Sequence, residues 1–215
     1  MKKYLLGLSF FTVLFFGAFF NLNSVSASPI TTGEPEVEAQ TNVNEDIGIF
    51  AEIGPTYPGT NIKMQVGDIL YSSKSNESTY FVGHVGIVGS DYKIYHVTPA
   101  WNGGAASDMT SYVRLHKSGE KLSIYTPRDG RGVKAAAWAK SNYSRATKYL
   151  INPLDKLSVM TPNYCSKFLW QAFYYGENFD MLGKRTSDKE VGLIYPFAFT
   201  NSIYFVSKGS FTANW

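Results

Sequence analysis

The chain has 215 residues, with 20 Lys and Arg against 17 Asp and Glu, so its formal net charge is +3. This charge is too small to indicate nucleic-acid binding, and 44% hydrophobic with 16% aromatic residues excludes a disordered chain. The one cysteine excludes an internal disulfide framework, and it excludes zinc sites built from four cysteines or from two cysteines and two histidines.

The first 27 residues have the pattern of a secretory signal peptide. Two lysines precede an apolar run over residues 4–20, and Val25-Ser26-Ala27 is a small-x-small cleavage site. The alternative is an uncleaved membrane anchor, because the run approaches the minimum spanning length of about 17–25 residues. We expect cleavage after Ala27, no stable membrane span afterwards, and a secreted or cell-wall-associated bacterial protein.

Charge divides the rest of the chain. Residues 28–55 hold six acids and no Lys or Arg, which predicts an acidic flexible leader. Residues 56–215 carry 18 Lys and Arg against 11 acids and form the predicted folded domain. Its basic charge favours an anionic surface such as a cell wall, and an ordinary solvated basic face explains it equally well.

The apolar pattern of this domain predicts strands followed by helices and a last strand. Strands are predicted at 69–71, 80–88, 92–97, 122–125 and 202–206, from β-branched, aromatic or alternating apolar residues between turn signals. Helices are predicted at 133–150 and 165–175, where apolar residues recur at helical spacing. This order predicts an α+β domain.

Cys165 is the most informative residue because it lies at the predicted start of a helix. Backbone amides and the helix dipole favour a thiolate at such a position. The alternative is a small buried hydrophobic residue, which is a common role for a free cysteine. An exported chain that keeps one unpaired thiol favours the nucleophile, because such a thiol is otherwise open to oxidation.

Two histidines lie on the predicted hairpin. A turn at 89–91 would place His84 opposite His96, with both side chains on one face and about 5 Å between Cβ atoms. A one-residue slip would put the rings on opposite faces. His84 alone could equally be a core residue, although its flanking glycines allow close approach of a substrate.

A cysteine, a base and an orienting third group are what nucleophilic acyl transfer requires. His84, His96 and Cys165 could instead bind zinc, but no fourth ligand is indicated, and we expect no metal or other cofactor. Asp91 and Asp108 are weaker candidates for an orienting group, since both lie in turn-like sequence. His116 lies between basic neighbours and is expected at the surface.

Four segments in order resemble the permuted papain-like amidases of the NlpC/P60 superfamily. They are Gly67-Asp68-Ile69-Leu70, GHVGIV at 83–88, IYHV at 94–97 and YCSKFLWQAFY at 164–174, and the resemblance spans residues 63–206. In ordinary papain-like enzymes the cysteine precedes the histidine, and the reversed order here resembles the permuted group.

This resemblance implies an antiparallel sheet or small barrel that carries the histidine and is packed against the helix that carries the cysteine. It implies Cys165 as nucleophile, His84 as general base and His96 as the third polar group, with the oxyanion bound by the backbone of Cys165. Tyr164 either adds a further donor or only packs beside the cysteine. Many relatives have Glu at the third position, and His is shared with the lecithin-retinol acyltransferase-like branch.

Three functions follow as hypotheses. The first is a secreted cysteine hydrolase that cleaves amide bonds, with cell-wall peptides of peptidoglycan as its substrate. The second is a lipid esterase or acyltransferase like that branch, with an acyl substrate. The third is a wall-binding module on the same fold without turnover.

Overall fold

The computed structural model describes residues 54–74, 83–184 and 186–215. The predicted signal peptide, nearly all of the predicted leader and residues 80–82 of the second predicted strand lie outside the described residues. Among the described residues no helix is both long and apolar enough to cross a bilayer.

The described residues form an α+β fold, as the sequence predicts. The strands are β1 (Ile69–Ser72), β2 (His84–Val88), β3 (Ile94–Thr98), β4 (Gly103–Ser107), β5 (Lys121–Pro127) and β6 (Phe205–Thr212). The helices are α1 (Met109–Val113), α2 (Val133–Asn142), α3 (Cys165–Gly176) and α4 (Phe197–Thr200).

The six strands form one antiparallel sheet in the order β4-β3-β2-β1-β5-β6. This sheet is open, with β4 and β6 at its edges. The alternative prediction of a small closed barrel is therefore wrong for these strands. In the β2–β3 pair, Ile87 lies opposite Tyr95 and Val88 opposite Ile94. The register therefore differs by two residues from the predicted one, which makes His84 a diagonal neighbour of His96 on the same face.

Each face of the sheet carries its own core. Val85 and Ile87 of β2 point to the face on which α2 and α3 pack, with Trp170 and Phe173 of α3 among the buried residues. Val88 points to the other face, where α1 packs together with other buried apolar side chains. This alternation follows from the period of two in a strand.

Helix α3 begins at Cys165, and Tyr164 before it has extended backbone. Nine consecutive residues, 165–173, are buried, because the helix packs between α2 and the sheet. Glu177 follows α3 and joins it to the start of α2, since its Oε1 accepts hydrogen bonds from the amides of Gly132, Lys134 and Ala135.

The bounds of the predicted elements differ from the observed ones, and three differences concern the helix at 133–150 and two strands. The helix predicted at 133–150 ends at Asn142, and a 3₁₀ turn over Tyr143–Arg145 follows it. The last strand, predicted at 202–206, runs from Phe205 to Thr212. Strand β3 begins at Ile94 rather than 92, because Tyr92 has a positive φ within the turn.

Strand β4 and helices α1 and α4 are absent from the sequence prediction. The residues of β4 are small, and a Cβ at Gly104 would overlap the backbone carbonyl of Tyr143, which packs directly against this strand. Helix α1 begins after Asp108, whose Oδ1 accepts a hydrogen bond from the Ser111 amide at 2.7 Å. This N-cap is a signal in the sequence that could have located α1.

Candidate active site

The two hairpin histidines form a buried pair. A hydrogen bond of 3.0 Å joins Nε2 of His84 and Nδ1 of His96, and the two rings are nearly perpendicular. Nε2 of His96 forms a second hydrogen bond of 3.0 Å with Oγ of Ser107 on β4. The three side chains therefore form a continuous hydrogen-bonded chain from β2 to β4.

Both imidazoles are held neutral. Burial lowers the pKa of His84 well below its ordinary value, and His96 and His116 lower it further. Burial, followed by the effect of His116, lowers the pKa of His96 to about 3. A neutral imidazole can accept a proton, but a pKa lowered by burial makes that acceptance less favourable while the rings stay buried.

His116 belongs to the same cluster, and its predicted surface position is wrong. It is fully buried, and its ring centroid lies 5.9 Å from that of His84. Tyr112 of α1 contacts all three imidazole rings. Burial lowers the pKa of His116, while Glu120, whose carboxylate lies 3.9 Å from Nδ1, raises it. The basic neighbours of His116 gave no indication that its ring turns inward.

Cys165 lies at the first position of α3 and is buried in the core between that helix and the sheet. Burial raises the pKa of its thiol above the ordinary value, although the Val85 amide and the hydroxyl and amide of Ser166 lower it. The amides at the helix start therefore lower the pKa of the thiol, as the sequence predicts, but burial raises this pKa by more.

The structure does not join Cys165 to the histidine pair by a hydrogen bond. Cys165 packs in the same core as Val85, whereas His84, the preceding residue of β2, points to the opposite face of the sheet with His96 and Tyr112. The thiol and the imidazole pair thus occupy opposite sides of the same strand.

The backbone around Cys165 offers oxyanion donors that differ in part from the predicted ones. The Tyr164 amide already donates to Oδ1 of Asn163 at 2.9 Å, so this donor is occupied. Asn163 is itself held by Gln171 at 2.8 Å. The amides of Cys165 and Ser166 both lie close enough to the thiol sulfur to lower its pKa. The Ser166 amide is a donor that the sequence analysis missed.

Cys165 lines a small pocket of about 20 Å³ with mostly apolar walls. The walls come from Ile151, from Tyr164 and Ser166 on either side of the cysteine, and from part of a segment that we call the strap, residues 187–196. Both backbone polar groups of Ile194 in the strap are hydrogen-bonded: its amide donates to the Tyr164 hydroxyl at 3.0 Å, and its carbonyl accepts from the Ser166 hydroxyl at 2.6 Å. A larger pocket, of about 450 Å³, lies between α1 and β6 and contains none of the predicted catalytic residues.

The weaker candidates have structural partners. Asp91 accepts a hydrogen bond from Tyr95 and forms an ion pair with Lys140, and Asp108 caps α1. Neither carboxylate contacts an imidazole. Within the described ranges, no group of three or more His, Cys, Asp or Glu side chains is arranged to hold a metal ion.

The α+β fold therefore places a cysteine at a helix start and a buried histidine pair on the two sides of the same strand. A family model described as "Lipoprotein N-acylation protein LnsA-like" matches residues 40–208. The chain belongs to this LnsA-like family.

Two other proteins are similar to the chain. An uncharacterized 30.3 kDa protein of Bacillus thuringiensis is 28% identical over 162 residues, which are 71% of this chain. The chain spans 58% of the length of that relative. The crystal structure of metalloprotein YiiX from Escherichia coli O157:H7 matches with a TM-score of 0.47 and 15% identity, over 69% of this chain and 98% of that one.

Proposed function

We propose that this protein is a thiol-dependent acyltransferase that takes an acyl chain from a lipid ester and passes it to an amine, with Cys165 as nucleophile and His84 as base. Membership of a family described by lipoprotein N-acylation supports the reaction class and a location at the cell envelope. The observation that carries the proposal is the position of Cys165, at a helix start and in an apolar pocket.

The proposed reaction has two halves. The Cys165 thiol gives its proton to the imidazole, and its sulfur attacks the ester carbonyl. The ester C–O bond then breaks, the alcohol leaves with the proton from the imidazolium, and a thioester remains on Cys165. In the second half an amine attacks the thioester, the C–S bond breaks, and the amine proton returns through the imidazole to the thiolate.

The hydrogen-bonded chain supports the assignment of the base. If Nε2–H of His96 donates to Ser107, then Nδ1 of His96 accepts from Nε2–H of His84. This tautomer leaves Nδ1 of His84 with a free lone pair, and that atom is the proposed proton acceptor. His96 then orients His84, which is the role of the third member of a triad.

Proton transfer in this scheme requires a rearrangement. His84 and the Cys165 thiol lie on opposite sides of β2 and share no hydrogen bond, whereas a base must come within about 2.6–3.2 Å of the proton it removes, or act through one water. The amides of Cys165 and Ser166 are the proposed oxyanion donors in the rearranged site.

We propose further that the fold is the permuted papain-like one, with the histidine strand before the cysteine helix.

The hydrolytic alternative uses the same residues. Cleavage of amide bonds in wall peptides would form the same thioester and then transfer the acyl group to water. The family description supports an amine as acceptor, and the apolar pocket supports an acyl chain over a peptide. A mixture of both substrates therefore distinguishes the two reactions.

The test uses the full chain with vesicles that contain an acyl-labelled phospholipid, a diacylglyceryl lipopeptide with a free amine, and a wall peptide. We expect transfer of label to the amine and a hydroxylamine-sensitive acyl adduct on Cys165 by mass spectrometry. Cys165→Ala, and Cys165→Ser as the variant of similar size, should each lose the transfer by roughly 10³-fold or more. Full transfer by Cys165→Ala would refute the mechanism, and release of peptide amines alone would favour the hydrolase.

A further inference from the structure

The cavity between α1 and β6 has no part in the proposed reaction. Its volume is about 450 Å³, within the roughly 300–1,000 Å³ that small-molecule sites occupy. Cys165 belongs to the core on one face of the sheet, whereas Val113 and Phe211 of the cavity wall belong to the core on the other face. A molecule bound in this cavity would therefore occupy a site separate from the thiol.

The wall of the cavity is neutral. Of the described residues that line it, none has a charged side chain. Charged residues of both signs lie beside the wall: Asp108 and Arg114 flank α1, and Glu120 and Lys121 lie next to the end of β6. A charged ligand would lose its hydration in the cavity without gaining an oppositely charged partner from the wall. The lining thus favours a neutral ligand.

The wall also carries hydroxyl and amide groups that have no partner. The side chains of four lining residues form no hydrogen bond within the described part of the chain: Thr110, Ser210, Thr212 and Asn214. Ser210 and Thr212 extend to the same side of β6, because side chains two residues apart in a strand share a direction. Hydroxyl and carboxamide groups both donate and accept hydrogen bonds. They are therefore complementary to a ligand whose own hydroxyl groups do the same.

Trp215 adds a flat apolar surface to the wall. Its side chain is held at one edge, since the indole Nε1–H donates to the carbonyl of His116 at 3.1 Å. The residue is nevertheless 60% exposed, so much of the ring is open to a ligand. A ring that is already held in place loses less entropy when a ligand packs on it. The C–H groups of a ligand can pack on such an aromatic face.

We propose that this cavity binds a short neutral oligosaccharide. A sugar ring has hydroxyl groups around its edge and C–H groups on its faces, so it matches both parts of the wall. The four unpartnered polar side chains hydrogen-bond to the ring hydroxyl groups, and one face of a ring packs on Trp215. An acyl chain would instead leave those four side chains without partners. The binding requires neither the thiol nor the proposed acyl transfer.

The test measures the binding of defined sugars to the full chain by isothermal titration calorimetry. The neutral probes are maltotriose, cellotriose and tri-N-acetylchitotriose, and trigalacturonate is the charged comparison. We expect at least one neutral probe to bind with a dissociation constant on the order of 0.1–1 mM, as is usual for a small ligand held by a few hydrogen bonds and one stacked ring. Trigalacturonate should bind at least about tenfold more weakly, because the wall offers its charges no partner.

Matched variants assign the binding to the cavity. Trp215→Ala removes the ring and should weaken binding by about tenfold. Trp101→Ala removes a ring that is 66% exposed but does not line the cavity, and it should leave the affinity unchanged. Thr212→Val keeps the shape of the side chain without its hydroxyl, and we expect binding to be about threefold weaker. Cys165→Ala should bind the sugar as the unaltered chain does.

Three results would overturn the proposal: no saturable binding of any neutral probe, unchanged affinity in Trp215→Ala, or trigalacturonate binding as tightly as a neutral probe. If Trp215→Ala does not fold, as judged by circular dichroism, Thr212→Val takes its place, and unchanged affinity in that variant refutes the site. Loss of binding in a folded Cys165→Ala chain would place the sugar at the thiol and refute the separate site. Retained acyl transfer by Cys165→Ala would refute the proposed function and leave the sugar site standing.

Discussion

The buried histidine cluster predicts that the fold loses stability in mild acid. His96 has a pKa of about 3 in the folded chain against 6.5 in the unfolded chain. The unfolded chain therefore binds a proton that the folded chain does not, so the free energy of unfolding falls as the pH decreases below 6.5. For His96 alone this loss is about 2 kcal/mol at pH 5 and roughly 4 kcal/mol at pH 3.

The other groups with shifted pKa values do not oppose this loss of unfolding free energy between pH 8 and pH 5. The pKa values of His84 and His116 are also lowered, so both add to the loss in the same direction. Hydrogen bonds lower the pKa of Asp91 and Asp108 below the ordinary value of 3.8. Their contribution to stability is lost only at lower pH, outside this range.

Urea unfolding at pH 8 and pH 5, followed by circular dichroism, measures the effect. The control is His96→Gln, because an amide can still bond to Ser107 and His84 but does not titrate. We expect the difference in unfolding free energy between the two pH values to be smaller in this variant by about 2 kcal/mol. An equal difference in both chains, or no difference in the unaltered chain, would refute the reasoning.

Two further predictions concern stability and are checked by the same urea unfolding at pH 8. Gly104→Ala should lower the free energy of unfolding by about 2–4 kcal/mol, because the added Cβ overlaps the carbonyl of Tyr143. Gly119→Ala is the control: nothing lies within 4 Å of its added Cβ, so its positive φ alone should lower the free energy of unfolding by about 1 kcal/mol. An equal loss at both positions would contradict the packing argument. Glu177→Ala should cost about 1–2 kcal/mol because three amides at the start of α2 lose their acceptor, and a neutral result would refute this capping role.

Local patterns predicted the elements that carry the candidate site. The helix at Cys165 and the hairpin with His84 and His96 follow from apolar periodicity and a short turn, because both features are encoded within a few residues. The hairpin register was wrong by two positions, since the turn at 89–91 could not be fixed from the sequence. The error kept both rings on one face because a shift of two preserves side-chain direction.

The remaining features depend on packing between distant segments. Strand β4 consists of small residues with little strand preference, and it forms because Gly104 allows the chain at Tyr143 to approach closely. The inward turn of His116 depends on Tyr112 and Glu120. The side of β2 on which Cys165 lies depends on how α3 packs on the sheet, and no local pattern encodes that placement.

Burial of the single thiol also affects its resistance to oxidants. Peroxides and disulfides react with the thiolate form of cysteine. Because burial raises the pKa of Cys165 and encloses its sulfur, this residue stays in the less reactive thiol form. Two copies of the chain then cannot link through this residue while the pocket is closed. The sulfur thus stays reduced without a dedicated reductant while the pocket is closed, because the fold itself excludes the oxidant.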